Sequence, residues 1–480
     1  MVHDSVRAVL SLLIPAATHL LLRLYVGRSL GEEALGLYTL TFAVYSLALI
    51  IGTFGSGAGL TRYVAQIERS DLRKARLLAT AMIHSAGISV IVALTLGLIA
   101  RPLSCMLFEM CSLSTFLIIG AVALPGAVTG KVVLGFLNGE RRLGIYATIV
   151  IVQSLFIALC TILIVEMGQG VSGAVIGLFL PAAVTGVASV ALVYRQVNLG
   201  FSPHRQHLSL SRGWLRFGFY VTLINGVGLL QGYTDTLILG VFLAGSDVGI
   251  YAAALLMLEA VRFPAAAMRM ASTPRIATLW SAGEIRRLTE LVNRTVGITA
   301  TIVLPIAFTC MAASTVLLRE FLGHSFQAAA TPLILLMPGG MLMGVWTGVG
   351  ALLSSTGHVR IAFRCSVISA GANVLLNLSL IPPFGLEGAA LATTVSLCLG
   401  CTLQVREVQR RVGIELQWTR VALTSGLLAA IAAGILLTDS QPTTLPEVAI
   451  WWVAASVVCA RILIYRESVS WFRRIKHHAA

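Results

Sequence analysis

The 480-residue chain is 57% hydrophobic and only 11% charged, with a mean hydropathy of +0.89. Soluble domains carry about 25% charged residues, so this much apolar surface calls for lipid rather than a folded interior to cover it. The net charge of +14 is spread over many short connections instead of one face. That excludes a nucleic-acid-binding reading and makes the basic residues topology signals.

Apolar stretches near the ~20 residues that cross a bilayer recur fourteen times. Span 1 covers 6–26, span 2 37–58, span 3 77–100 and span 4 114–137. Span 5 covers 143–165, span 6 170–194, span 7 214–242 and span 8 247–268. Span 9 covers 291–317, span 10 328–353, span 11 361–381 and span 12 385–404, with spans 13 and 14 at 421–437 and 445–465. Span 1 is too long for a signal-peptide core and lacks a small-residue cleavage site, so it reads as a retained helix. In span 7, Asn225-Gly226 and Gln231-Gly232 are expected to interrupt the helix. The predicted fold class is an all-α, polytopic membrane protein.

The connections alternate in charge. When basic residues near a span's end are counted with the connection they adjoin, 29 of the 34 Lys and Arg fall in the termini and every second connection. The other connections hold Arg28, Arg101 and Arg319, while Arg23 and Lys131 stay within spans. One missed span would invert the bias beyond it, so the count supports fourteen spans with both termini cytoplasmic. The loop Arg69–Arg76 and the tail Arg466–Lys476 then meet the inner headgroups. The eight cysteines form no disulfide framework. Cys398 and Cys401 lie inside an apolar span, where close helix packing explains them, and Cys105 and Cys111 flank an outer connection in which they can pair.

An internal repeat follows. Gly36-Leu37-Tyr38 opens span 2 and Gly249-Ile250-Tyr251 opens span 8, an offset of 213. Gly170-Val171-Ser172-Gly173-Ala174 opens span 6 and Gly385-Leu386-Glu387-Gly388-Ala389 opens span 12, an offset of 215. Six spans per copy is even, so both copies share one orientation. The expected divisions are an N-lobe at 1–212, a C-lobe at 213–412, and spans 13 and 14 with the tail at 413–480, the two six-helix lobes enclosing a central cavity.

Several stretches resemble a known family. Leu30-Gly31-Glu32-Glu33-Ala34-Leu35-Gly36-Leu37-Tyr38 is similar to the start of polysaccharide-biosynthesis membrane proteins, as is Asp235-Thr236-Leu237-Ile238-Leu239-Gly240 followed by Val248-Gly249-Ile250-Tyr251-Ala252. The run from Asn373 through Asn377, Pro382, Pro383, Gly385, Gly388 and Ala389 to Thr393, preceded by Leu353-Ser354-Ser355-Thr356-Gly357, resembles that family's C-terminal signature. These are oligosaccharide flippases of the multidrug/oligosaccharidyl-lipid/polysaccharide exporter superfamily, to which murein-precursor flippases also belong. The resemblance implies alternating access for a polyprenyl-(pyro)phosphate-linked sugar moving from the inner to the outer leaflet. It implies membrane lipids and glycan-assembling polymerases or glycosyltransferases as partners, and H+ or Na+ as a coupling ion. A cation-coupled drug or metabolite exporter on the same scaffold is the alternative. No bond chemistry, cofactor or metal is expected.

Ionisable residues within spans are functional candidates by default. His19 and Arg23 lie one turn apart on span 1. They either line the cavity and bind phosphate, or Arg23 snorkels to the outer headgroups. Murein-precursor flippases use cations in helices 1, 2 and 8, and Arg23 and Arg262 sit comparably here, while Arg62 closes span 2. Lys131 is a cavity candidate that can also snorkel to the inner surface. Its stretch Gly126-Ala127-Val128-Thr129-Gly130-Lys131 is one residue short of a phosphate loop and is followed by Val132, which rules out ATP binding. On span 8, Glu259 and Arg262 can pair at i,i+3, and Arg269 continues the stripe beyond Pro264. The three form a cavity wall or a structural ion pair at the inner interface. Asp235 is the coupling-ion candidate or else accepts an interhelical hydrogen bond. Asn225, Gln153, Asn373 and Asn377 are expected to serve as interhelical partners.

Overall fold

A computed structural model describes residues 2–67, 71–197, 212–416, 418–438 and 442–463, and among them the regular structure is helical, with no strand. The first eight helices are α1 (Val2–Leu30), α2 (Glu32–Thr53), α3 (Ser56–Val64), α4 (Asp71–Pro102), α5 (Leu113–Gly139), α6 (Leu143–Ile164), α7 (Gly170–Val197) and α8 (Arg212–Phe242). They are followed by α9 (Gly245–Ser281), α10 (Ile285–Ala312), α11 (Ser314–Phe321), α12 (Ala330–Ser355), α13 (Val359–Val412), α14 (Trp418–Leu437) and α15 (Leu445–Leu463). Twelve of the fourteen predicted spans fall on one of these helices or on one arm of α13, while spans 2 and 9 each run over two helices. Helices satisfy every backbone group internally, which lipid demands. Leu98, Val122, Leu375 and Leu423 are each at least 70% exposed, the pattern of a hydrocarbon-facing surface. The basic tail Arg466–Lys476 and Arg69 lie outside the described residues.

Four details depart from the expected spans, the first being that span 9 divides at Ala313 between α10 and α11. Span 2 is two helices, because Phe54 (φ 42°) and Gly55 (φ 66°) are both left-handed and end α2 before α3 starts. Span 7 is uninterrupted, since α8 runs helical through Gly226, Gly228 and Gly232. α13 contains spans 11 and 12 folded back on each other at Gly385, with Asn373 on one arm donating to Thr393 and Ser396 on the other at 3.3 Å.

The chain divides into two compact units, Met1–Gly249 and Ile250–Ala480. By packing, α8 therefore belongs with α1–α7, although the repeat places it at the start of the second copy. In the first unit α5 is central and buries Leu117, Leu124, Val128, Val132, Phe136 and Leu137. Small residues let it approach its neighbours closely. A methyl on Gly126 would lie 2.8 Å from Ala183 Cβ, and one on Gly130 would lie 2.8 Å from the Cα of Gly186 on α7. In the second unit α12 approaches the second arm of α13 in the same manner. A methyl on Gly339 would lie 2.8 Å from Thr394 Cα, and the Thr394 hydroxyl donates to the Leu335 carbonyl at 2.5 Å.

The repeat is written in the backbone of each unit. Gly170 (φ 52°, ψ −135°) and Gly385 (φ 55°, ψ −127°) share a conformation that L-residues avoid. Leu124-Pro125-Gly126 on α5 and Met337-Pro338-Gly339 on α12 recur at an offset of 213, a third correspondence. The connection from α4 to α5 is closed by a disulfide between Cys105 and Cys111.

Candidate functional site

The first unit builds a cavity from α2, α3, α5, α6 and α8. Its shape depends on the break at Phe54-Gly55, which redirects α3 against α5. There Gly57 and Gly135 meet backbone to backbone. A methyl on Gly135 would overlap the Gly57 carbonyl, and the Thr61 hydroxyl donates to the Gly135 carbonyl at 2.9 Å. The space left between α2, α5 and α8 is about 320 Å³. Its walls are apolar at Leu49, Ile50, Leu134 and Val221, and its polar lining includes Lys131, Asn138, Tyr146 and Asn225. Among the described residues, no carboxylate lines it.

Lys131 therefore faces open space inside the unit. Its ammonium brings three donors and no acceptor, and no ion-pair partner faces it among the described residues. On α1, Arg23 and His19 are half-buried. The Arg23 guanidinium sits 5.2 Å from the ring centroid of Phe42 on α2, and Phe42 in turn meets Tyr233 of α8 edge-on at 6.0 Å. Arg23 is thus turned toward its neighbouring helices, and no carboxylate pairs with it among the described residues. His19 lies within electrostatic reach of both Arg23 and Lys131. The three N-terminal candidates lie in one unit, with Arg23 and Lys131 as its cations.

Asp235 is 5% exposed, sits between the buried Thr234 and Thr236, and is partnered. It does not line the cavity. In the second unit the candidates sit differently. Glu259 and Arg262 pair at 2.8 Å with both side chains close to half exposed. Arg269 is exposed and borders a niche of about 10 Å³ with Ser272, Thr295 and Thr299, room for about one water molecule. The structure brings His19, Arg23 and Lys131 together in one unit and carries Glu259, Arg262 and Arg269 along α9 in the other.

Sequence reasoning missed Asn138 and Tyr146 and misassigned Asn225. Gln153 and Asn373 do bond across helices, Gln153 to the Ala182 carbonyl at 3.3 Å, but Asn225 is exposed on the cavity wall. A signal for Asn138 existed. It lies seven residues after Lys131, hence on the same face of α5.

What this arrangement can do is hold an anionic, hydroxyl-rich group in a partly apolar recess. The sequence profile of the family described as polysaccharide biosynthesis protein matches residues 6–280. The chain belongs to the polysaccharide biosynthesis protein family. The profile of a second family, MatE, matches residues 221–379 of this polysaccharide biosynthesis protein. Over 396 residues it is 26% identical to "Probable flippase AglR" of Haloferax volcanii, covering 82% of this chain and 80% of that one. It is 22% identical over 412 residues to "Probable low-salt glycan biosynthesis flippase Agl15" of the same organism, covering 86% and 84%. Its fold matches the structure of the lipid II flippase MurJ in an inward closed conformation with a TM-score of 0.77, at 14% identity, over 98% of this chain and 100% of that one.

Proposed function

We propose that this polysaccharide biosynthesis protein is a flippase that carries a polyprenyl-(pyro)phosphate-linked oligosaccharide from the inner to the outer leaflet of the cell membrane by alternating access. The observation that carries the reading is Lys131 facing a cavity that no carboxylate lines among the described residues, with Arg23 and His19 in the same unit. A bare charge at the bilayer centre costs at least ~2.5–3.5 kcal/mol, and a phosphate-linked sugar adds many hydroxyls. Unpaired cations beside a wet recess offset that cost. The polyprenyl tail needs no such help, because withdrawing it from lipid would cost about 0.8 kcal/mol per CH₂. The tail stays in the bilayer and the protein handles the head. Both termini lie on the cytoplasmic side in this reading, in keeping with the 29 basic residues assigned there. Within the second unit, Arg262 and Arg269 on α9 are further anion-binding candidates. Asp235 exchanges the coupling proton or sodium ion, and glycosyltransferases supply the substrate. The test is reconstitution: purified protein in vesicles should move a labelled polyprenyl-phosphate sugar between leaflets, and failure to do so would overturn the proposal.

The MatE match keeps one competitor in view. A cation-coupled drug exporter needs an acidic recess for a cationic cargo, and the recess of the first unit offers Lys131 instead.

The three glycines of α8 support a moving part. A methyl on Gly226, Gly228 or Gly232 would meet no atom within 4 Å, so close packing does not explain them. Each costs a helix roughly 0.8–1 kcal/mol relative to Ala. α8 bends at these positions during transport, which makes use of that weakness.

A further inference from the structure

We infer that the recess around Lys131 recognises a single anion-bearing sugar unit, with the anion on Lys131 and the sugar hydroxyls on Asn138, Asn225 and Tyr146. The inference rests on the flippase reading and adds which part of the cargo this recess selects. Size is the first argument. At about 320 Å³ the recess stands at the lower end of ligand pockets, which run from ~300 to 1,000 Å³. It holds one or two sugar rings, and the rest of a longer oligosaccharide extends out through its open mouth.

Chemistry is the second argument. A lysine only donates, which matches an acceptor-only phosphate or carboxylate. Asn amides and a Tyr hydroxyl both donate and accept, as sugar hydroxyls do. A bare phosphate would use only the donors of these groups and leave their acceptors unpaired, whereas sugar hydroxyls engage both. The Asn138, Asn225 and Tyr146 side chains are committed to no neighbour among the described residues. They reach the recess from α5, α8 and α6, so they converge from three helices rather than lying along one surface. Leu49, Ile50, Leu134 and Val221 supply apolar walls for the C–H faces of a ring. A few convergent polar groups in an apolar wall is the pattern of an orienting site.

The test uses full-length protein in lipid nanodiscs and four probes: glucose 1-phosphate, glucuronate, glucose and inorganic phosphate. Binding is read as a thermal shift over a concentration series. Glucose 1-phosphate, glucuronate or both should bind about tenfold or more tightly than glucose or inorganic phosphate. A preference between the two tells whether the anion is the linking phosphate or a sugar carboxylate. Lys131→Met should abolish the anionic shifts and Lys131→Arg should keep them, which separates charge loss from misfolding. The pair Asn138→Ala with Asn225→Ala should weaken the preferred sugar probe about tenfold and leave inorganic phosphate unchanged. Equal binding of inorganic phosphate and glucose 1-phosphate, no effect of the Asn pair, or no shift from any probe would each overturn the inference. Leaflet exchange of a polyprenyl-phosphate sugar, measured on the same preparations, separates the two readings. Exchange without sugar-probe binding removes only this inference, whereas binding without exchange removes the flippase reading.

Discussion

In the first unit Lys131 and Arg23 stand without a carboxylate partner among the described residues, whereas in the second Arg262 is held by Glu259 at 2.8 Å. Both sets are cations on membrane helices, and position in the sequence does not tell them apart. The difference lies in what each charge can still do. An unpaired ammonium beside a recess retains its full attraction for an incoming anion. A guanidinium already bonded to a carboxylate must share it, and an exposed pair of this kind is worth only about 0–1 kcal/mol. Under the proposed flippase function, the comparison ranks the first unit's cations ahead of Arg262 as holders of the anion.

Substitutions can break that ranking. The largest effect is expected from Lys131→Met. Losing a charged hydrogen bond costs about 1.5–3 kcal/mol, which is roughly tenfold to a hundredfold in transport efficiency at 1.4 kcal/mol per decade, measured as leaflet exchange in vesicles. Arg23→Met comes next, at about five- to tenfold, because the guanidinium already shares its charge with the Phe42 ring. The triple change of Gly226, Gly228 and Gly232 to Ala should stiffen α8, raising the unfolding temperature while slowing exchange severalfold. A faster or unchanged rate would remove the bending of α8 from the account. Arg262→Met should have the smallest effect, about twofold. A loss as large as that of Lys131→Met would erase the distinction between the units.

Much of the fold was legible because lipid imposes one strong rule, an apolar helix of fixed minimum length, and the basic residues mark every second turn. The repeat was legible from Gly170 and Gly385, whose shared backbone conformation follows from a residue type that alone tolerates it. The Glu259–Arg262 pair was legible from its i,i+3 spacing. The break in span 2 was not. Phe54 takes a left-handed conformation that its side chain disfavours, at a point where Phe54 and Gly55 pack closely on Gly218 of α8 and α3 turns onto α5. The Asn225 assignment failed for a related reason, since an Asn on a membrane helix serves equally well as a bond between helices or as a wall of a recess. Which one it becomes depends on whether a neighbouring backbone is near, and that is a tertiary fact. The pairing of Cys105 with Cys111 across their connection was open to sequence reasoning, and the structure closes it.

The most direct measurement follows a fluorescent polyprenyl-phosphate sugar in vesicles containing the purified protein, with an impermeant quencher outside. The parent protein should expose the inner-leaflet label to the quencher, and a protein carrying both Lys131→Met and Arg23→Met should leave it as protected as in protein-free vesicles. Exchange by that double variant at the parent rate would contradict the account.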